Sequence, residues 1–269
     1  MRCFGTTASP PSRTESAKDR RNALVWALPA FSLVLAALPA RAEIRLTQQD
    51  RHAIERALGR GTLGAALPSP AIENPGDYVP LIAGKNKYRM LAGPHAGVDA
   101  VHRTQPSGNS RWRYELSNDE TGFLQMEPDG GLIMAGIEDT YTKALTRYSP
   151  GEPFMPKGFQ PGSEKSLEMG VKVFDLDDPE NVQHEGSLTV SLTHAGAYEI
   201  NVPAGRFDTV LLKASFHGQI GPAHVDDIQY RFFAKGIGLV AMVERRDVSA
   251  FLIYRDRLDV AKVLASARP

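Results

Sequence analysis

The sequence has almost no cysteine: Cys3 is the only one among its 269 residues. One cysteine cannot form a disulfide within the chain, and Cys3 lies in an N-terminal segment that we expect to be removed. The mature chain would then contain no thiol nucleophile and no thiolate metal ligand. Because no cysteine stands at the expected cleavage point, we also expect no lipid anchor on the new N-terminus.

Long apolar runs are also scarce, and the run Ala23–Leu38 is interrupted by Pro29. Two arginines precede it, and Ala40-Arg41-Ala42 places small residues at positions −3 and −1 of a cut before Glu43. This arrangement is typical of a secretory signal peptide. We therefore predict a signal peptide at residues 1–42, cleavage after Ala42, no permanent membrane span and a periplasmic protein. The paired arginines leave both the general secretory and the twin-arginine export routes open.

Neither sign of charge is in excess, since the chain has 31 basic and 31 acidic residues. The segment 1–42 holds six of the basic and two of the acidic residues, so 25 basic and 29 acidic residues remain after cleavage, a net charge of −4. A mildly acidic chain lacks the basic surface on which nucleic-acid binding depends. We therefore predict no nucleic-acid partner.

The common catalytic signatures are missing as well. The chain has no G-x-S-x-G segment and no H-E-x-x-H segment, and the pair Gly236 and Gly238 lacks the third glycine of a nucleotide-binding loop. These absences leave no catalytic residue to name. We expect no bound metal and no cofactor.

Short strand-like segments, separated by turn residues, dominate the chain from residue 78 onward. In the segment Arg111–Leu116 the alternation is strict, with Trp112, Tyr114 and Leu116 on one face. Regular strands with hairpin turns favour antiparallel pairing. We predict one antiparallel β domain over residues 78–269, with a proline-rich crossing at 149–163.

The longest strand signals lie between Tyr198 and Met242. Two runs there have apolar residues at every second position: Val210, Leu212, Ala214 and Phe216, then Ile228, Tyr230, Phe232 and Ala234. We predict a meander of long strands in which Phe207, Val210, Leu212, Tyr230 and Phe232 are buried. A tight turn at Val202-Pro203-Ala204-Gly205 and the Gly236-x-Gly238 turn predict positive φ at Gly205 or Gly238.

Helical signals are confined to the two ends of the mature chain. Thr47 is a plausible N-cap for a helix Thr47–Leu58, and an irregular connection follows as far as residue 77. At the other end, the positions of Leu258, Ala261, Val263 and Leu264 predict a short helical turn. The predicted fold is therefore mainly β, a curved antiparallel sheet or half-barrel with a short N-terminal helix and a short C-terminal helical turn.

The second half of the chain carries three short motifs: Pro153–Gly162, the VPAGRFD segment Val202–Asp208 and the AKGIGLV segment Ala234–Val240. Through them, residues 150–255 resemble a loose class of uncharacterised bacterial secreted β-proteins. That class is similar in shape to the half-barrels of periplasmic lipoprotein carriers. The resemblance implies a curved antiparallel sheet, and it implies no catalytic residues, because shape alone does not carry function.

One short helix is little cover for so large a sheet, so part of its concave face could bind an apolar ligand. The candidate ligand-binding residues are Trp112, Tyr114, Leu116, Met126, Met134, Phe216, Tyr230 and Phe232. The alternative for most of them is an ordinary core position. We predict a non-enzymatic periplasmic protein that binds a lipid or lipid-like molecule or acts in envelope assembly with an envelope protein partner.

Two other functions remain open. His217 and His224 flank a loop and Asp226 follows, so a metal-assisted hydrolase could use these three side chains, although their spacing matches no metal motif. The third possibility is a structural module that pairs with a partner through a free sheet edge.

Overall fold

The computed structural model describes residues 43–250 and 254–266, and the predicted signal peptide with its cleavage point lies outside these residues. Within these ranges the chain forms one α-helix, α1 (Gln48–Leu58), a 3-10 turn at Pro75–Asp77 and thirteen strands. The strands are β1 (Leu63–Leu67), β2 (Gly84–Ala92), β3 (Asp99–Pro106), β4 (Arg111–Glu115), β5 (Glu120–Met126), β6 (Leu132–Asp139), β7 (Ala144–Met155), β8 (Glu164–Asp175), β9 (Val182–Val202), β10 (Gly205–Ile220), β11 (Ala223–Ala234), β12 (Gly238–Ala250) and β13 (Tyr254–Ser266). No helix in the described ranges has both the length and the hydropathy needed to cross a membrane.

Twelve of these strands close into an antiparallel barrel. The order runs from β9 through β10, β11, β12, β13 and β2 to β8, and β8 pairs again with β9. Strand β9 makes closure possible because its 21 residues offer room for three partners: β8 and β10 pair with it, and β1 pairs near its C-terminal end. The prediction of a mainly β fold is confirmed. The prediction of an open curved sheet or half-barrel is wrong, because the two ends of the sheet meet and leave no long free edge between them.

The predicted C-terminal helical turn is also wrong, because Leu258, Ala261, Val263 and Leu264 lie in strand β13. This strand pairs with β12 on one side and with β2 on the other. The four consecutive residues 261–264 are all buried. Burial on both faces removes the period-two alternation that would have indicated a strand.

The proline-rich segment 149–163 divides between a strand and a connection. Strand β7 continues to Met155 and pairs with β6 there, whereas its pairing with β8 ends at Ser149. Pro150 and Pro153 therefore lie where the chain has a strand partner on one side only. Proline lacks a backbone N–H donor, so it is tolerated at such positions.

Helix α1 packs on the outer face of the barrel. Thr47 caps it by accepting a hydrogen bond from Asp50 N at 3.1 Å, and the chain leaves the helix at Gly59 with φ +92°. Ile54 and Leu58 are buried against the sheet. The predicted helix is confirmed.

The predicted meander is formed by β9 to β12, which pair in sequence order. Val210, Leu212, Tyr230 and Phe232 are buried as predicted, and Phe207 is half-buried. Both predicted glycines have positive φ, +130° at Gly205 and +102° at Gly238. The two apolar runs nevertheless occupy opposite faces. Leu212 lies opposite Arg231 on the inner face, and Tyr230 lies opposite Lys213 on the outer face.

Candidate functional site

The barrel contains a cavity of about 270 Å³. Residues from strands β4 to β12 line it. The apolar side chains around it include Tyr114, Leu116, Met134, Phe154, Met169, Phe216, Phe233 and Leu239. Half-buried residues such as Ile220, Val225 and Val248 also line the cavity. The cavity therefore extends from the buried core of the barrel to a region near the tip of the β10–β11 hairpin.

Three aromatic rings form the apolar wall of the cavity. The ring of Phe154 meets Tyr114 and Phe233 edge to face, with centroids 5.9 Å apart in each pair. This geometry suits the ring quadrupoles and holds the rings in fixed orientations. Burial raises the pKa of the Tyr114 hydroxyl to about 12, so this wall remains uncharged at neutral pH.

A polar wall faces the same space from strand β11. Asp227, Gln229 and Arg231 occupy alternate positions, so all three point into the barrel. Arg231 Nε donates to Gln229 Oε1 at 2.9 Å, and Gln229 Nε2 donates to Asp227 Oδ2 at 2.7 Å. Arg231 Nη2 also donates to Glu152 Oε1 at 2.8 Å, and its guanidinium lies 5.1 Å from the centroid of the Phe154 ring. The guanidinium is therefore held by two strands and by the aromatic wall.

A second set of charges extends the polar wall. Arg246 forms an ion pair with Glu244, and its guanidinium is also near Glu120 Oε1, at 3.7 Å, and Asp227 Oδ2, at 3.9 Å. Burial raises the pKa of Asp227 to about 7, and the neighbouring Glu244 carboxylate acts in the same direction. Burial likewise raises the pKa of Glu120. Perturbed carboxyl groups in a cavity are typical of functional sites.

Hydrogen bonding in this wall is incomplete. Among the described residues, Arg231 Nη1 and Asp227 Oδ1 are buried without a hydrogen-bond partner. A buried polar atom without a partner costs about 1–3 kcal/mol. Because Arg231 and Asp227 both line the cavity, a polar group bound there could satisfy them.

Lys262 is a further buried cation of the barrel. Its Nζ donates to the carbonyl oxygen of Leu116 and lies 3.4 Å from His102 Nδ1. Burial lowers the pKa of Lys262 to about 8, and burial, followed by the charge of Lys262, lowers the pKa of His102. His102 Nε2 is a further buried atom without a hydrogen-bond partner in the described part of the chain.

The eight predicted ligand-binding residues do not form one group. Tyr114, Leu116, Met134 and Phe216 line the cavity. Trp112 is half-buried and packs against the core from the same strand as Tyr114, and Met126 is 37% exposed near the end of β5. Tyr230 and Phe232 lie on the outer face, where the Tyr230 hydroxyl donates to Asp50 Oδ1 of α1 at 2.6 Å. A ligand-binding role for any of the eight stays a prediction.

Sequence reasoning missed the polar wall. On β11, polar residues alternate with apolar ones: Asp227, Gln229 and Arg231 stand between residues of the outer face. In the sequence alone, this alternation is typical of a strand whose polar side faces solvent. In the structure, Asp227, Gln229 and Arg231 lie opposite Phe216, Ala214 and Leu212 of β10, an apolar run that does face the interior. Only the pairing register relates the two sets, and alternation within one strand does not give it.

The three residues of the proposed hydrolase do come together, but on the outer surface. His217 Nδ1 lies 2.5 Å from Asp226 Oδ1, and His224 Nε2 lies 3.4 Å from Asp226 Oδ2. All three side chains are exposed. They do not line the interior cavity.

Comparison with known proteins gives no family for this chain. No family model and no curated protein matches it. Among solved structures, it has 13% identity and a TM-score of 0.35 to a proposed lipoprotein from Parabacteroides distasonis, over 74% of this chain and 99% of that one. A proposed exported protein with a YmcC-like fold from Bacteroides fragilis gives 13% identity and a TM-score of 0.36, over 74% and 100%. Similarity this low supports no argument about this chain.

Proposed function

We propose that the protein binds a small amphipathic molecule inside its barrel, with the apolar part of the ligand against the aromatic wall and a polar end against the polar wall. The observation that carries the proposal is the cavity of about 270 Å³, which has an aromatic wall and an incompletely hydrogen-bonded polar wall. Apolar pockets with a few convergent polar groups are the usual form of small-molecule sites.

The volume limits the ligand. Small-molecule pockets typically measure about 300–1,000 Å³, so this cavity of about 270 Å³ is just below that range. It is nevertheless larger than a cavity of about 150 Å³ that admits benzene. A single short acyl or alkyl chain suits this space better than a phospholipid with two chains.

The charges of the site favour a neutral polar end. Among the described residues, five carboxyl groups and two cations line the cavity, and the buried ammonium of Lys262 lies near them: Glu120, Asp139, Glu152, Asp227 and Glu244, with Arg231 and Arg246. A ligand carboxylate would add a sixth acidic group to this set. A hydroxyl or amide group both donates and accepts hydrogen bonds without adding charge. The ligand class that fits best is therefore a short-chain alcohol, monoacylglycerol or amide.

The proposal describes a binding protein of the periplasm, in agreement with the signal peptide that the sequence predicts. It includes no chemical step, because binding requires only the two walls of the cavity. The polar wall would orient the ligand, and the aromatic wall would exclude water from its chain.

Narrowing the cavity tests the proposal. Val225 lines the cavity and is half-buried, so Val225→Phe should reduce its volume without filling a tightly packed core position. Val182→Phe is the matched control, because Val182 is 39% exposed and does not line the cavity. Monodecanoylglycerol is the probe, and its affinity for the tag-free mature protein is measured by isothermal titration calorimetry.

We expect saturable binding to the wild type, a loss of about tenfold or more in Val225→Phe and no change in Val182→Phe, because only the first substitution removes volume from the ligand. Equal affinity in both variants, or no saturable binding by the wild type to neutral single-chain compounds, would contradict the proposal.

A further inference from the structure

The outer surface of the β10–β11 hairpin presents two imidazoles and one carboxylate side by side. His217 on β10 lies directly opposite Asp226 on β11 in the antiparallel register. His224 lies two residues before Asp226 on the same strand, so it points to the same face. The pairing of two adjacent strands therefore brings together three groups that are separated in sequence.

The distances place the three groups within reach of one ion. The His217 and His224 rings lie 4.8 Å apart and nearly perpendicular to each other. The Asp226 carboxylate contacts one imidazole nitrogen with each of its oxygens, at 2.5 Å and 3.4 Å. One ligand atom from each residue lies within 4.8 Å of the others. In a tetrahedral zinc site with bonds of about 2.0–2.1 Å, the ligand atoms are separated by roughly 3.3 Å. Small rotations of exposed side chains would therefore form that arrangement.

We propose that His217, His224 and Asp226 form a surface site for a divalent transition-metal ion, with Zn²⁺ as the best-suited ion. Imidazole nitrogens favour zinc, nickel and copper, whereas magnesium and calcium prefer sites made of oxygen atoms alone. Three protein ligands leave the fourth position of a tetrahedral ion to water.

The proposed metal site lies on the exposed outer surface of the barrel. The side chains of His217, His224 and Asp226 are 65%, 48% and 56% exposed, so an ion reaches them from solvent without any opening of the barrel. None of the three lines the interior cavity, so the ion would lie apart from the proposed ligand site. The role assigned to the site is metal binding that links β10 to β11.

This inference is independent of ligand binding in the barrel, because it depends on different residues on the opposite face of the sheet. Ile220 and Val225, which lie on the same hairpin, line the cavity. An ion bound outside would thus stabilise a hairpin whose inner side contributes to the proposed ligand site.

The test uses the mature protein after removal of any histidine tag. It is titrated with ZnCl₂ alone, and binding is measured by isothermal titration calorimetry. We expect saturable binding of one ion per chain. His217→Ala and His224→Ala should each weaken binding by about tenfold or more, and Asp226→Asn should weaken it in the same direction, since each removes a ligand. His184→Ala is the matched control, because His184 is exposed on the neighbouring strand β9 and is absent from the cluster.

Thermal unfolding with and without ZnCl₂ provides a second measurement that also reports whether each variant folds. An ion that binds the folded chain raises its Tm, so ZnCl₂ should raise the Tm of the wild type and of His184→Ala and leave that of His217→Ala unchanged. The proposal is overturned if the wild type shows no saturable binding, if His184→Ala loses as much affinity as the cluster variants, or if Asp226→Asn binds as the wild type does.

Discussion

Arg231 is the residue on which the polar wall depends most. Its side chain is only 6% exposed, and its guanidinium contacts Glu152, Gln229 and the ring of Phe154. A buried charge of this kind is tolerable only while its partner is present, because neither member is solvated by bulk water. The pair Arg231 and Glu152 also joins β11 to β7, two strands that are not neighbours in the sheet.

Replacing one member of this pair should lower the free energy of unfolding more than replacing both. We expect Arg231→Met to lower the free energy of unfolding by about 3–5 kcal/mol, because it leaves the Glu152 carboxylate buried and uncompensated. In the double variant Arg231→Met with Glu152→Gln, the free energy of unfolding should fall much less, because no uncompensated charge stays buried. Urea unfolding of the wild type, both single variants and the double variant gives the coupling energy. Additive losses would show that the two side chains do not act as a pair.

Lys262 should make the free energy of unfolding depend on pH. Burial lowers the pKa of this ammonium from 10.5 to about 8, so the folded chain releases its proton at a lower pH than the unfolded chain does. Between these two values the unfolded state binds more protons, and the free energy of unfolding therefore rises with pH. Burial of the charged Lys262 ammonium lowers the free energy of unfolding. This loss is complete at a pH below the pKa of the folded state and disappears at a pH above the pKa of the unfolded state.

Comparison with Lys262→Met isolates this contribution, since all other titrating groups are common to both proteins. We expect the free energy of unfolding of the wild type, relative to the variant, to rise by up to about 1.4 kcal/mol per pH unit between about pH 8 and pH 10. Urea unfolding across this range measures the difference. A difference that does not change with pH would show that Lys262 keeps its ordinary pKa in the folded chain.

Among the elements, α1 and the β9–β12 meander could be predicted from the sequence because their signals are local. Thr47 with Gly59 marks the ends of the helix, and alternation marks the strands. What alternation could not give is the side of the sheet that each apolar run covers. On the outer face, the Tyr230 hydroxyl of β11 and Lys213 of β10 both donate to Asp50 of α1. The two apolar runs of β10 and β11 show the same alternation, yet they lie on opposite faces of the sheet.

The outer-face assignment leads to a prediction about Phe232. It is fully buried although it lies outside the barrel, so Phe232→Ala should lower the free energy of unfolding by about 3–5 kcal/mol. Ile228→Ala, on the same face of the same strand, should cost less than about 1 kcal/mol because Ile228 is 38% exposed. Denaturant unfolding of the two variants compares them directly. Similar losses would contradict the burial of Phe232 on the outer face of the sheet.

For the whole molecule, the sequence predicted a mainly β chain but not its closure. Closure depends on the pairing of β8 with β9, and no local pattern records which distant strands pair. The polar wall depends on closure too, because Asp227 and Glu152 share an interior only when β7 and β11 belong to one barrel. Closure also argues against a structural module that pairs with a partner through a free sheet edge. In the described residues, the strand at the end of the sheet is β1, and its five residues offer only a short edge.

The central claim is that the closed barrel holds one short amphipathic molecule, and a chain-length series tests it most directly. The affinity of the tag-free mature protein is measured for monoacylglycerols of increasing chain length. Each methylene group buried in an apolar cavity contributes about 0.8 kcal/mol, roughly a fourfold gain in affinity. We predict that affinity rises by about this factor per methylene and then stops rising once the cavity of about 270 Å³ is filled. Affinity that does not change with chain length, or that continues to rise for chains far longer than the cavity, would contradict the account.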